Sequence, residues 1–443
     1  MTQQTMSSLP VRIISDRPAL EEPFFGFSGY AATLAGLIAG KTNATPLVMG
    51  IYGSRGTGKT TLLSAVKSRL DGDWLSDRRL YRPCKTVWFQ AWRYNDRNAI
   101  LAALFETIFK AMSADGFFSL ARSKIDTVTR RFDKSSIFPT IFKLAGGVDI
   151  SDFFSGPAFS SELAFSETFQ RFFDDLVWTF LSWRFKLTGQ EKPDDRMGAL
   201  VVFIDDLDRC RPGRIAQVLE TIKLYLDRSG CVFVLGASKK ALQEAMSAEY
   251  GPQDGNGLLE KIIHLGFSIP RIAPEAFVRL IEDSKSDCID VEALVPHLPV
   301  IVPALGYNPR QFKRLINGLN LLCGLLDSAN VEIGFQKALA WWMVTHLFSE
   351  LAVDIEDSLE KLSALREAAC RLRDKYPEIP VWKLSPEQLA EQGVSESIYP
   401  CLQQKHMAEV AMMLDLTDHQ IRCLSILSGS VGLPVKGIKL LTA

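Results

Sequence analysis

The sequence has almost no excess of charge of either sign, with 50 Lys and Arg residues against 51 Asp and Glu and a net charge of −1. A protein that attracts nucleic acid or an anionic membrane through its overall field carries a clear positive excess or a basic stripe. The composition therefore argues against a nucleic-acid-handling motor. A salt-dependent affinity for DNA would restore that alternative.

Long apolar runs and closely paired cysteines are also lacking. No stretch reaches the roughly 18 apolar residues of a membrane span, and the N-terminus has no basic start followed by an apolar core. None of the eight cysteines forms a C-x-x-C pair, which favours buried free thiols in a reducing compartment. We therefore expect a soluble cytoplasmic protein, and the 443 residues are enough for two or three domains.

The segment at residues 53–60 is the strongest local signal in the chain. It fits the phosphate-loop (Walker A) pattern G-x-x-x-x-G-K-[ST] at every fixed position. The apolar run at 46–52 predicts a buried strand before it, and Leu62, Val66 and Leu70 recur at helical spacing after it. The motif needs a strand, a glycine loop and a helix, so a glycine-rich turn with an incidental lysine is the poorer interpretation.

Each part of this loop has a physical role in holding the phosphates of a nucleotide. The glycines permit backbone conformations that turn successive N–H groups inward at a helix N-terminus, where they bind anions. Lys59 can reach the β- and γ-phosphates of ATP, and Thr60 can offer its hydroxyl to Mg²⁺. The predicted nucleotide-binding residues in the loop are Gly53, Ser54, Arg55, Gly56, Thr57, Gly58, Lys59, Thr60 and Thr61.

Acidic residues follow the continuous apolar run at 199–204, which predicts a strand at the centre of a parallel sheet. A carboxylate at the end of a buried strand is costly unless it meets a cation or hydrogen-bond donors. We therefore assign Asp205, together with Thr60, to the Mg²⁺ site (Walker B). Asp206 is the candidate for orienting or deprotonating the attacking water.

Four further residues are weaker candidates. Asp208 and Arg209 are predicted to tie the aspartate segment to its neighbours, with a solvated turn as the alternative. Ser238 follows a strand predicted at 231–235, where it can hydrogen-bond the γ-phosphate or cap the next helix. Arg310 opens a predicted helix and can project onto the phosphates, unless it is an ordinary surface arginine. The candidates for catalytic roles are thus Asp206, Asp208, Arg209 and Arg310.

Strands alternate with helices as far as residue 271, which predicts an α/β fold with a doubly wound parallel sheet. From residue 272 the periodicity is helical throughout, which predicts an all-helical C-terminal region. Further strands are predicted at 85–90 and 262–267, and helices at 31–39, from 97 onward, at 215–226 and at 239–248. The predicted parts are an N-terminal arm with a small helix (1–45), the phosphate-loop core (46–112 and 199–271), an insert (113–198), a helical lid (272–330) and a helical C-terminal domain (331–443).

The insert, predicted to be mostly helical, separates the phosphate loop from the aspartate segment. Between residues 113 and 165, nine phenylalanines occur among Ser, Asp and Gly with poor periodicity, and helical spacing returns at 166–188. One interpretation is a long loop with a small satellite core. The other is a contact surface of exposed aromatics for a second subunit or an effector.

Together these segments resemble the KAP family of phosphate-loop NTPases over residues 13–320. The aspartate segment and the Gln-Ala-Trp-Arg stretch are the specific features, since a phosphate loop alone would not select this family. The sequence departs from the family pattern at Arg55, where a Trp is usual, and at Ser238, where an Asp is usual. The segments that carry the resemblance are 16–18, 25–27, 53–60, 87–94, 201–210, 235–236, 259–263 and 308–310.

The resemblance implies a signalling NTPase related to the STAND class, which often acts as a nucleotide-gated scaffold, and it links bacterial members to phage exclusion. It implies ATP rather than GTP as the ligand, because no N-K-x-D base-reading motif is present. We expect a slow ATPase that forms a homo-oligomer and controls a separate effector, since no effector domain is recognisable. The alternatives are a nucleotide-binding scaffold with little turnover and a nucleic-acid-handling motor.

Overall fold

The structure, a computed structural model, divides into two compact units. One unit is Pro18–Pro270, and the other joins Met1–Arg17 to Arg271–Ala443. The residues that the structure describes are 13–15, 25–72, 77, 79–93, 97–115, 198–223, 228–282, 289–347, 359–404 and 407–430, with helical residues at 170, 173–174, 176–178, 180–182 and 184 and a turn at 185.

The unit Pro18–Pro270 is built on one five-stranded sheet. Its strands are β1 (Leu47–Tyr52), β2 (Cys84–Gln90), β3 (Ala199–Asp205), β4 (Cys231–Ala237) and β5 (Leu265–Ser268). Every pair of neighbouring strands is parallel, and the order along the sheet is β2-β3-β4-β1-β5. β4 therefore lies between the strand before the phosphate loop and the strand that ends in Asp205.

Helices cover both faces of this sheet. They are α1 (Phe27–Ala39), α2 (Lys59–Asp71), α3 (Arg97–Ala114), α4 (Pro212–Thr221), α5 (Lys239–Tyr250) and α6 (Pro252–Ile262), with short 3-10 turns at Ala91–Arg93 and Leu207–Arg209. Val202 and Phe233 pack with α3, α4, α5 and α6 on one face. Met49 and Phe203 pack with α1 and α2 on the other. The predicted doubly wound parallel sheet is confirmed.

The boundaries of several elements differ from those predicted. The fifth strand is Leu265–Ser268, and the prediction of a strand from Ile262 is wrong because Ile262 is the last residue of α6. The helix predicted from residue 31 begins at Phe27, and the one predicted from residue 215 begins at Pro212. Both starts lie before the first strongly periodic apolar residues, which alone set the predicted boundaries.

Helix α6 was not predicted, because its sequence contains a proline and two glycines that are typical of a loop. Its position next to α5 explains why the glycines are tolerated. A Cβ atom on Gly255 would lie 2.4 Å from the carbonyl oxygen of Met246 in α5. The close approach of the two helices therefore requires glycine at this position, and tertiary packing overrides the local propensity.

The described part of Arg271–Ala443 contains helices and no strand, which confirms the all-helical C-terminal region for those residues. The buried indole of Trp342 donates to the carbonyl oxygen of Leu315 at 2.9 Å, and the rings of Phe277 and Phe312 lie 4.8 Å apart. The α-helices are α7 (Val278–Glu282), α8 (Val291–Leu294), α9 (Leu298–Ala304), α10 (Pro309–Ser328), α11 (Phe335–Leu347), α12 (Leu359–Lys375), α13 (Pro386–Glu391), α14 (Tyr399–Leu402), α15 (Met407–Met413) and α16 (Asp418–Ser430).

Most of the predicted insert lies outside the described residues, including all of 116–169. The interpretations of its phenylalanines therefore stay predictions. Within the part of the chain that is described, no helix is both long enough and apolar enough to cross a membrane.

Candidate functional site

The carboxyl ends of parallel strands meet at one edge of a sheet, and three segments singled out in the sequence follow such ends here. The phosphate loop follows β1, the aspartate segment follows β3, and Ser238 follows β4. The pairing of Ile51 with Gly236, and of Ile204 with Leu235, shows that the three strands end side by side. The sheet topology therefore brings segments together that lie far apart in the chain.

Hydrogen bonds hold the loop between β1 and α2, and two of its glycines have left-handed backbone conformations. Gly56 and Gly58 have φ angles of 90° and 97°, and Gly58 is the N-cap of α2. The Thr57 hydroxyl donates to the carbonyl oxygen of Ser54 at 2.8 Å. The Gly53 N–H donates to the carbonyl oxygen of Ala237 at 3.3 Å, which ties the loop to β4. The first N–H groups of α2 have no acceptor within the helix, so this end of α2 suits an anion.

The side chain of Phe27 in α1 packs against Gly58 of the phosphate loop. Phe27 is 1% exposed, and a Cβ atom on Gly58 would lie 2.6 Å from its ring. Gly58 is therefore required both by its φ angle and by the close approach of Phe27. The segment 25–27 was noted only as part of a family resemblance, and this contact supplies a physical role for it.

Lys59 points its ammonium group into the loop and is 7% exposed. Its Nζ atom donates to the carbonyl oxygens of Gly53 at 2.9 Å and Ser54 at 3.1 Å. It also forms an ion pair with Asp208 Oδ2 at 3.2 Å. The ammonium group thus lies beside the backbone of the loop, where the phosphates of a nucleotide would bind.

Asp205 and Thr60, the two predicted Mg²⁺ ligands, are in direct contact. Asp205 is 1% exposed; it accepts from the Thr60 hydroxyl at 2.7 Å and from the Asp206 N–H at 2.8 Å. Burial raises the pKa of the Asp205 carboxyl above its ordinary value. The hydrogen bond from Thr60 opposes this rise and the charge of Asp206 adds to it. The local donors do not compensate the burial of this carboxylate, so a cation would stabilise its charged form.

The next residues form the turn Leu207–Arg209, and their side chains point in different directions. Asp206 has a φ angle of 58° and forms an ion pair with Arg209, at 2.8 Å from its Nε atom. The Arg209 guanidinium lies 6.0 Å from the centre of the Trp92 ring. The Asp208 side chain is 10% exposed and pairs with Lys59. The alternative of a simple solvated turn is therefore wrong for Asp208.

The remaining candidate residues differ in exposure and in position relative to the phosphate loop. Arg55 is exposed, whereas Thr61 is half-buried in the first turn of α2. Ser238 is the N-cap residue of α5, as one of its two interpretations predicted, and its side chain makes no capping hydrogen bond. Arg310 belongs to the other unit, where Asn308 Oδ1 caps α10 and accepts from the Arg310 N–H at 3.0 Å. The roles of Ser238 and Arg310 at the phosphates stay predictions.

Sequence reasoning missed two features of this site. The Lys59–Asp208 pair joins residues that are 149 positions apart, and no local pattern signals such a contact. Gly236 was noted only as part of the resemblance, yet a Cβ atom there would lie 2.8 Å from Asp205 Oδ1 and 2.6 Å from Leu63 Cδ1. A glycine inside an apolar strand is a signal of close approach and could have been used.

Replacement of Gly236 by alanine should therefore disturb Asp205. We expect the added methyl group to push the carboxylate or Leu63 aside, to lower stability by about 1–3 kcal/mol, and to weaken Mg²⁺-dependent nucleotide binding. Thermal melting and calorimetry measure both effects. Gly257→Ala in α6 is the matched control, since a Cβ atom there meets nothing within 4 Å. A Gly236→Ala protein that melts and binds like wild type would contradict this account of the site.

Comparison with known proteins agrees with the geometry. A family model described as the KAP family P-loop domain matches residues 27–326. The phage T7 exclusion protein of Escherichia coli (strain K12) is 25% identical over 273 residues. The match covers 58% of this chain and 34% of the relative, so this chain spans about a third of the relative's length.

Solved structures show more distant similarity. The ADP form of the Aeropyrum pernix ORC2 protein has a TM-score of 0.36 and 15% identity, with 96% of this chain and 97% of that chain covered. Drosophila ORC bound to DNA has a TM-score of 0.38 and 13% identity, with 96% and 81% covered.

Proposed function

The chain belongs to the KAP family of P-loop domains, and on that premise we propose that it binds Mg·ATP at residues 53–60 and hydrolyses it slowly. The observation that carries the proposal is the convergence of three groups at one edge of the sheet. Lys59, Thr60 and Asp205 supply a cation for phosphate, a hydroxyl and a carboxylate. This set matches what phosphoryl transfer needs, which is charge neutralisation and positioning rather than covalent chemistry.

The phosphates would be held by the loop and the start of α2. The backbone N–H groups of the loop and the helix dipole favour a negative group there. Lys59 adds the only side-chain cation of residues 53–60 that is buried in the site, at 7% exposed. ATP is preferred over GTP in this proposal because the chain has no N-K-x-D motif, and that choice rests on the family.

Thr60 and Asp205 would hold Mg²⁺. Their oxygens already lie 2.7 Å apart, and both are the hard ligands that Mg²⁺ prefers. Mg²⁺ usually takes only one or two carboxylates from the protein and fills its other positions with water and phosphate oxygens. When bound, the ion supplies positive charge that offsets the negative charge developing on the phosphates.

Asp206 is our candidate for orienting the attacking water, and Arg209 positions its carboxylate through the 2.8 Å ion pair. Asp208, which pairs with Lys59, is the third carboxylate within the site after Asp205 and Asp206. Arg209 or Arg310 would reach the γ-phosphate of a neighbouring subunit, as arginine fingers do.

The same ion pair favours a second function, a nucleotide-binding scaffold with little turnover. Arg209 Nε occupies Asp206 Oδ1 at 2.8 Å. Arg209 would have to release this carboxylate before Asp206 could accept a proton from a water. Measured turnover separates the two proposals, since the scaffold binds Mg·ATP and releases almost no phosphate.

The biological role that we propose is a nucleotide-gated switch in defence against phages. The support is the family and the similarity to a protein named for phage T7 exclusion. We propose that a separate effector protein completes the response.

Assembly of the switch gives a testable prediction. The nine phenylalanines at 113–165 exceed what a short polar segment can bury by itself. We expect ATP to shift a monomer–oligomer equilibrium through this segment, because a ligand shifts an equilibrium by its differential affinity for two states. Light scattering on wild type and on a variant lacking 113–165, each with and without a non-hydrolysable ATP analogue, measures the mass. Identical mass in all four samples would refute this mode of assembly.

A further inference from the structure

The ammonium group of Lys59 has no spare donor for a phosphate. A lysine carries three N–H donors, and all three have acceptors here. They are the carbonyl oxygens of Gly53 and Ser54 and the carboxylate of Asp208, at 2.9, 3.1 and 3.2 Å. A phosphate oxygen can bind Lys59 only if one of these acceptors leaves or shares its hydrogen bond.

Charge decides which acceptor leaves. The two carbonyl oxygens are neutral and belong to the loop itself, so an incoming phosphate does not repel them strongly. The Asp208 carboxylate is negative, is 10% exposed, and lies beside the same ammonium. Two anionic groups within a few ångströms of each other repel, and the repulsion is larger where little water screens it. Asp208 is therefore the acceptor that a phosphate must displace.

We propose that Asp208 competes with the γ-phosphate for Lys59 and so sets the selectivity of the loop between nucleoside triphosphate and diphosphate. The inference rests on the proposed function. The α- and β-phosphates would bind mainly to the backbone N–H groups at the start of α2. A diphosphate brings only its β-phosphate to Lys59, so the ammonium group can be shared between that phosphate and Asp208. A triphosphate places further negative charge there and must expel Asp208.

The displacement has a consequence beyond the loop. Asp208 lies in the single turn Leu207–Arg209, next to Arg209, which pairs with Asp206 and faces the Trp92 ring. Movement of Asp208 moves this turn, so the Arg209 contacts differ between the diphosphate and triphosphate states. A ligand that distinguishes two arrangements in this way shifts the population between them. Asp208 is thus a positioning residue that couples the length of the phosphate chain to Arg209.

Calorimetry with ADP and with a non-hydrolysable ATP analogue, both with Mg²⁺, tests the proposal on wild type and on Asp208→Asn. Removal of the competing charge should tighten binding of the triphosphate analogue about tenfold, the scale of one nearby charge, and change ADP binding by less than about twofold. Glu244→Gln is the control, because it removes the same charge from an exposed i,i+4 pair with Lys240 on α5. It should leave both affinities unchanged.

Three results would overturn the proposal. The first is weaker binding of the triphosphate analogue by Asp208→Asn, which would make Asp208 a ligand of the nucleotide or its metal. The second is equal tightening of both nucleotides by Asp208→Asn, which would show that Asp208 does not set the selectivity. The third is a ratio of the two affinities in Asp208→Glu, which keeps the negative charge, that matches Asp208→Asn instead of wild type.

A measurement on the unaltered protein keeps the test independent of any variant that folds poorly. Wild type should bind ADP at least as tightly as the triphosphate analogue, and a preference of more than about tenfold for the triphosphate would contradict the role of Asp208. A wild-type protein that binds neither nucleotide would refute the proposed function itself. If wild type binds both nucleotides but prefers the triphosphate analogue by more than about tenfold, only the role of Asp208 is refuted.

Discussion

Replacement of Lys59 by alanine should abolish tight binding of Mg·ATP. Lys59 is the buried cation of the loop, with its ammonium group held between the Gly53 and Ser54 carbonyl oxygens. Hydrogen bonds from a charged donor to phosphate are about twice as strong as neutral ones. Loss of such contacts to two phosphates should raise the dissociation constant by about a hundredfold or more. Isothermal titration calorimetry measures this change.

The control for Lys59→Ala lies two turns further along the same helix. Lys67 pairs with Asp71 on the surface of α2, so Lys67→Ala makes the same chemical change outside the site. Lys59→Ala also leaves the nearly buried Asp208 without its cation, so its melting temperature must be recorded beside its affinity. If folded Lys59→Ala protein bound Mg·ATP with wild-type affinity, the loop would not be the binding site.

Asp205 and Asp206 should separate by role although they are adjacent in the chain. Asp205 contacts Thr60 and is buried, so Asp205→Ala should weaken the part of nucleotide binding that depends on Mg²⁺. Asp206 is turned away in a left-handed conformation and pairs with Arg209. Asp206→Asn should leave binding intact and slow hydrolysis by about a hundredfold, the usual scale for loss of a general base.

Asp254 is exposed in the first turn of α6, so Asp254→Ala and Asp254→Asn are the matched controls for Asp205→Ala and Asp206→Asn. Calorimetry with and without Mg²⁺ and a phosphate-release assay give the two readouts. If Asp206→Asn turns over normally, the base is another residue, and Asp208 is the next carboxylate to test. If Asp205→Ala binds Mg·ATP like wild type, the metal is held elsewhere.

The sequence predicts the sheet and the order of its functional segments well, for a physical reason. The runs at 199–204 and 231–235 are apolar on both faces, as strands in the centre of a parallel sheet must be. In the structure both are fully buried and both end at the same edge of the sheet. The meeting of the loop with Asp205 follows from that topology, because parallel strands place their carboxyl ends together.

What the sequence does not predict depends on contacts between distant residues. The Lys59–Asp208 pair forms because the turn after β3 lies close to the loop after β1. That proximity is a property of the folded sheet. The start of β5 was misplaced because the apolar residues Ile262 and Ile263 end α6 instead of opening the strand. Packing of Gly255 against Met246 is what allows that helix to form.

The most direct test of the account is release of phosphate from ATP by the purified wild-type protein, measured beside GTP and beside Lys59→Ala. The account predicts slow release that requires Mg²⁺, that is faster with ATP than with GTP, and that is lost in Lys59→Ala. Release that needs no Mg²⁺, or that persists in Lys59→Ala, would contradict the assignment of this loop as the site of hydrolysis.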